Sequence, residues 1–183
     1  SLWNQKKFEK AIPFLLKSID KSNNKKEIID TLTLIGEYYF SNKQFEKAIS
    51  YFQKAIKLSE NNLEKQRLLK YIGQSLWNQK KFEKAIPFLL KSVDKSNNKK
   101  EIIDTLTLIG EYYFSNKQFE KAKSYFQKAT KLSENNLEKQ RLLKYINQSK
   151  NNFNKKIKKS FLNFNFLFNK KTVKTFESNE NIK

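Results

Sequence analysis

The stretch FEKAI begins at Phe8 and returns at Phe45 and Phe82, then comes back at Phe119 as FEKAK, a spacing of 37 residues each time. Residues 1–74 recur as 75–148 with four changes, Ile19 to Val93, Ile49 to Lys123, Ile56 to Thr130 and Gly73 to Asn147. The 37-residue period inside that unit is carried by Ala11, Ala48, Ala85 and Ala122, and by Gly36, Gly73 and Gly110. A fixed period of this size means stacked supersecondary units, each too small to bury its own apolar face.

Each unit reads as two helices. From Glu27 to Ser41, residues Ile28, Leu32, Ile35 and Tyr39 follow at three or four residues, with polar residues between. Phe45, Ala48, Ile49, Phe52, Ala55 and Ile56 repeat that spacing after the short connection SNKQ. KSNN at 21–24 and SENN at 59–62 supply the Ser and Asn that favour turns and helix caps. No run within 1–148 alternates long enough to suggest a sheet, so the expected class is all-α, an α-α superhelix of antiparallel helix pairs. Gly36 and Ala48 are small and Phe45 and Phe52 large because two antiparallel helices approach closely only where one lacks a side chain.

These residues resemble the tetratricopeptide repeat, whose signature runs W-x2-L-G-x2-Y, then A-x3-F, then P. One copy offers Leu32, Ile35, Gly36, Tyr39, Ala48 and Phe52; a second Leu69, Ile72, Gly73, Leu76, Ala85 and Leu89; a third Leu106, Ile109, Gly110, Tyr113, Ala122 and Phe126. Leucine replaces the tryptophan, Glu60, Asn97 and Glu134 replace the closing proline, and each unit is longer than the usual length of about 34 residues. The expected layout is a partial unit at 1–25, full units at 29–62, 66–99 and 103–136, a terminal capping helix at 137–148, and a basic, flexible Asn/Lys/Phe-rich tail at 149–183. Pro13 and Pro87 fall inside second helices, where a slight outward bend is expected. SLWNQ at 1–5 matches 75–79, late in a first helix, so the chain reads as a piece of a longer one whose residues 1–20 present an unpaired second helix.

The lysine in FEKAK belongs to the end of the array. Lys123 and Thr130 stand seven residues apart on one helical face, Asn147 takes a glycine place, and Lys150 and Asn151 stand where Leu76 and Trp77 stood. Repeat arrays need a polar terminal surface, and three of the four changes supply one.

The resemblance implies that first helices line a concave groove for a partner protein, an extended peptide or helix. Carried over, the groove holds Asp30, Thr33, Leu34, Glu37 and Phe40, then Arg67, Lys70, Tyr71, Gln74 and Trp77, then Asp104, Thr107, Leu108, Glu111 and Phe114, and finally Arg141, Lys144, Tyr145 and Gln148. The signs alternate from unit to unit, which would select a ligand of matching charge pattern. The competing reading has the aromatics packing between units and Asp30 or Glu37 pairing with Arg67 or Lys70. Some family members grip a chaperone's terminal carboxylate with Lys, Arg and Asn from three consecutive units. Here Lys70 and Arg141 occupy two such places, but Leu108, Tyr145 and Gln74 break the set, so chaperone binding is not expected.

Composition narrows the function classes. The chain has neither cysteine nor histidine, so the usual thiolate, imidazole and zinc ligands are missing; no cofactor or metal is expected and the protein reads as non-enzymatic. No apolar run approaches the roughly 20 residues of a membrane helix, and a cytoplasmic location is expected. The net charge of +20 invites a second reading, nucleic acid or anionic membrane bound through the basic surface and tail, although only Arg67 and Arg141 are arginines. A third is self-association through the exposed terminal repeat.

Overall fold

A computed structural model describes residues 2–94 and 96–180, with side chains placed over 7–94 and 96–160. Among the described residues the chain forms eight helices and no strand: α1 (Leu2–Ile19), α2 (Lys25–Ser41), α3 (Phe45–Leu58), α4 (Asn62–Asn78), α5 (Phe82–Val93), α6 (Lys99–Ser115), α7 (Phe119–Leu132) and α8 (Asn136–Glu180). The all-α class and the helix-pair architecture follow the sequence expectation. The chain folds as two compact units, Ser1–Thr105 and Leu106–Lys183.

Asparagine starts the first helix of each pair. The Asn24 side chain accepts from the N–H groups of Lys26 and Glu27 at 3.0 and 3.3 Å. Asn61 does the same for Leu63 and Glu64, and Asn135 for Leu137 and Glu138, while Asn98 accepts from Glu101. Helix N-termini leave these donors without intrahelical partners, and an Asn cap satisfies them. The serines just upstream then bind the first-turn carboxylates: Ser22 to Glu27 at 2.9 Å, Ser59 to Glu64 and Ser133 to Glu138 at 2.5 Å.

The turn inside each pair uses a lysine where glycine is the usual choice. Lys43, Lys80 and Lys117 adopt left-handed φ values of 58°, 60° and 57°. Their N–H groups donate to Phe40, Trp77 and Phe114, and those of Gln44, Lys81 and Gln118 donate to Tyr39, Leu76 and Tyr113. Paired back-bonds of this kind close a helix and reverse the chain.

Within the first unit, Ile35, Ala48, Phe52, Ala55 and Leu68 are fully buried, and Ile12 and Ile19 join them from α1. Phe8 of α1 packs on Tyr38 of α2 with ring centroids 4.7 Å apart, so α1 is covered on its α2 side. In the second unit Ile109, Ala122, Phe126 and Ala129 are fully buried, with Leu142 beside them. Tyr71 stacks on Phe52 at 4.9 Å and Tyr145 on Phe126 at 4.8 Å, the same inter-helix contact made twice. Both prolines lie on exposed faces, and α1 and α5 run through them; α5 has 12 residues where α3 and α7 have 14.

The array-end substitutions have a packing explanation. Gly73 is buried, whereas Asn147, its counterpart in α8, is exposed; Leu76 packs on the first unit's core, whereas Lys150 is exposed. A bulky or charged side chain is tolerated where no neighbour closes over it. Ile49 and Ile56 likewise pack on the core of the first unit, while Lys123 pairs with Glu120 at 3.3 Å and the Thr130 hydroxyl donates to the Phe126 carbonyl at 2.8 Å.

Two helix boundaries depart from the sequence pattern. LWNQKKFEKAI forms a helix end, a turn and a new helix at 76–86, but lies wholly inside α1 at 2–12. The turn is therefore imposed by α4 packing on α5, since the same eleven residues do not make it by themselves. At the other end α8 does not stop near 148: it continues as one helix to Glu180, through the segment expected to begin a tail.

Candidate interaction surface

First helices carry the predicted groove residues, and the structure sorts them. On α2, Asp30 and Leu34 are exposed, with Lys26 reaching Asp30 at 3.5 Å. Thr33 is a correction: it is buried, and its hydroxyl donates to the Ile29 carbonyl at 2.8 Å, so it offers a ligand nothing. Its β-branched side chain is small enough to enter the α2 packing face, and the back-bond satisfies its polar atom there.

The aromatics are half-buried and pack against one another. Phe40 meets Tyr71 edge-on at 5.5 Å and Phe45 at 5.7 Å, and Trp77 meets Phe82 at 4.8 Å. In the second unit Phe114 meets Phe119 at 5.5 Å and Tyr145 at 6.2 Å. These rings join consecutive helices, as the competing sequence reading had it.

Several of the alternating charges are likewise spent between first helices. Lys70 of α4 binds Glu101 in the first turn of α6 at 2.5 Å, and Arg141 of α8 binds Glu111 of α6 at 3.2 Å. The Tyr71 hydroxyl donates to Glu37, which helps raise its pKa; burial is the larger cause, and nearby Arg67 opposes both. The sequence paired Glu37 with a cation, but a tyrosine one turn along reaches it first. Arg67 and Asp104 are exposed and Gln74 half-buried in the first unit; in the second, Leu108, Lys144 and Gln148 are exposed and Thr107 is half-buried.

In the first unit these side chains border a cleft of about 690 Å³. Asp30, Arg67 and Lys70 line it together with residues that the helix pattern did not single out: Lys26, Asn61, Glu64, Gln66, Asn97, Asn98 and Glu101. Most of the added residues are caps and first-turn residues of α2, α4 and α6. The cap motif KSNN/SENN was the available signal, since N-terminal ends of stacked first helices gather at one edge. Gln66 closes one wall by donating to the Asp94 carbonyl. The lining mixes carboxylates, cations and amides, which suits a polar, hydrogen-bonding ligand. Among the described residues no group of three or more His, Cys, Asp or Glu side chains converges as a metal site would.

Comparison with known proteins agrees with this architecture. Tetratricopeptide repeat models match residues 29–62 and residues 103–136. No curated protein sequence matches the chain. Similar solved structures include the apo form of RapI, at 17% identity and TM-score 0.59, covering 80% of this chain and 57% of that one. BtubC from P. vanneervenii gives 14% identity and TM-score 0.59 over 82% of this chain and 67% of its own. The TPR2AB domain of yeast Sti1, solved in complex with pHSP90, gives 19% identity and TM-score 0.51 over 74% and 51%. The chain thus spans little more than half of RapI and of the Sti1 domain. The repeat matches and the helix pairs show that the chain carries tetratricopeptide repeats at 29–62 and 103–136, and the structural likenesses show the same fold.

Proposed function

We propose that this protein is a non-enzymatic scaffold whose first helices receive a segment of another protein, with the cleft between α2, α4 and the start of α6 as the seat. The observation that carries this reading is the cleft itself, a concavity about 690 Å³ in volume with exposed Arg67 and Asp30 on its walls. Half-buried aromatics hold the first helices together, so the walls stay fixed while their polar tips face outward. A preformed wall lowers the ordering cost of binding. TPR2AB of Sti1 shows that a domain of this fold can be solved with a protein partner bound. Here Lys70 is occupied by Glu101, so the specificity falls to Arg67, the cap amides and Asp30.

A displayed library of extended peptides, selected against the whole chain and against Arg67→Glu, tests the site. The expected outcome is that the wild-type chain enriches peptides with an acidic residue and Arg67→Glu loses them at least tenfold. Identical selections from both proteins, with unchanged helical content, would remove the cleft from consideration.

A further inference from the structure

Among the described side chains of α8 the last fully buried one is that of Ser149, and from Asn154 to Ser160 every side chain is exposed. Helix α8 nevertheless continues to Glu180. This stretch carries Lys155, Lys156, Lys158 and Lys159, and no carboxylate occurs between Glu138 and Glu177. Phe153 and Ile157 start an apolar register four residues apart, which the sequence continues at Phe161, Phe164 and Phe168. Spacings of four and three residues keep one side of a helix, while Lys155, Lys158 and Lys159 fall on the other. Ile157 is 50% exposed, an aliphatic side chain held in water.

We propose that residues 150–171 of α8 dock on an anionic lipid bilayer, lying in its interface. A stripe of apolar positions with Lys155, Lys158 and Lys159 across the helix from it matches a surface whose phosphates are negative and whose interior is apolar. Among the described residues no helix is long and apolar enough to cross a membrane, which agrees with a helix that lies on it. Charge alone would also fit nucleic acid. The register favours the bilayer: Phe153, Ile157, Phe161, Phe164 and Phe168 recur at spacings that keep one side of a helix, with Phe166 off it, an apolar stripe that nucleic acid has no use for, and no arginine follows Arg141 to fork onto phosphates or base edges. This segment shares no residue with the cleft, and Arg67→Glu leaves lipid binding unchanged.

Sedimentation of the full chain with phosphatidylcholine vesicles, and with vesicles that also contain phosphatidylserine, tests it directly. The wild-type chain should pellet only with the anionic vesicles and should be released by salt. Lys155→Glu, Lys156→Glu, Lys158→Glu and Lys159→Glu together should weaken binding at least about a hundredfold, from the usual contribution of each lysine near such a surface. Phe161→Ser, Phe164→Ser and Phe168→Ser together should weaken it about tenfold or more, while single-stranded poly(U) should bind more weakly than the anionic vesicles. Equal binding to both vesicle types overturns the proposal. So does full vesicle binding by the triple serine variant, or poly(U) binding that exceeds vesicle binding. The substituted positions lie beyond Ser149, and a thermal melt matching the wild type shows that each variant keeps its repeats.

Discussion

A methyl group built on Gly36 would stand 2.6 Å from Cε1 of Phe52, a distance that carbon atoms do not tolerate without displacement. The same closeness recurs where Gly110 faces Phe126, at 2.7 Å, and where Gly73 faces Leu89, at 2.7 Å to Cδ2 and 3.1 Å to its backbone nitrogen. Substituting alanine adds overpacking of roughly 1–3 kcal/mol, against which its better helix propensity returns about 1 kcal/mol. All three glycine-to-alanine variants should therefore melt lower, and Gly73→Ala lowest, because a backbone atom gives way less than the end of a side chain. Asn147→Ala, at the exposed fourth position, should melt at or slightly above the wild-type temperature. Thermal unfolding followed by circular dichroism checks the set; a Gly73→Ala that melts like Asn147→Ala would show that the helices are not held this close.

Those glycines also show how far the sequence could be read. Their spacing, together with Ala48 and Phe52, marked where two helices touch, because size complementarity is encoded within a single hairpin. The cap asparagines were equally legible, since a cap needs only three or four neighbouring residues. What was not legible depends on contacts between hairpins. Thr33 reads as an outward polar residue until the α2 packing face is known. Lys70 could have paired with Asp30 or Glu37, and it is the register of α4 on α6 that gives it Glu101. The boundary at 148 was drawn where the repeat ends, whereas helix α8 persists because nothing between Ser149 and Ser160 is a proline or a glycine.

Gln79 occupies the position that Asn42 and Asn116 hold in the other two turns. Those asparagines donate from Nδ2 to the carbonyls of Tyr38 and Tyr112, at 3.0 and 2.8 Å. Both amide atoms of Gln79 are buried, and no partner for them occurs among the described residues. The longer side chain overshoots the carbonyl one turn back, here that of Ser75. Gln79→Asn should restore the bond and raise stability by about 1 kcal/mol. Urea unfolding measures it, and a Gln79→Asn that is less stable than Gln79→Ala would contradict this account.

Lys80 sits one residue later with φ of 60°, a left-handed conformation that costs a residue with a Cβ about 1 kcal/mol or more. Glycine has no such cost in the folded state, although it gains freedom in the unfolded chain. Lys80→Gly should stabilise the turn by about 0.5 kcal/mol, and Lys80→Ala should not, since it removes the charge but keeps the Cβ. Equal gains from both substitutions in urea unfolding would assign the effect to relief of positive charge instead of backbone strain.

Tyr71 couples the fold to alkaline pH. It stacks on fully buried Phe52 and donates to Glu37, and burial followed by that hydrogen bond raises its pKa above the ordinary tyrosine value of 10.0. Burial also raises Tyr51, with Tyr39 adding to the effect. For an acid whose folded pKa is raised, the folded state holds its proton more tightly than the unfolded chain does. That contribution is complete below the unfolded value and declines as pH climbs from there through the folded value. Tyr71→Phe keeps the ring stack and loses the donor, so near pH 7 it should be less stable than wild type by about 1 kcal/mol. Above about pH 10 the gap should narrow, because the wild-type hydroxyl begins to ionise in the unfolded chain and phenylalanine has nothing to titrate. Paired urea titrations between about pH 7 and about pH 11 give the difference at each pH, and ionisation seen by absorbance in the folded state should lag behind free tyrosine. A gap that stays constant across that range would mean that Tyr71 titrates alike in both states and that its hydroxyl is not bound to Glu37.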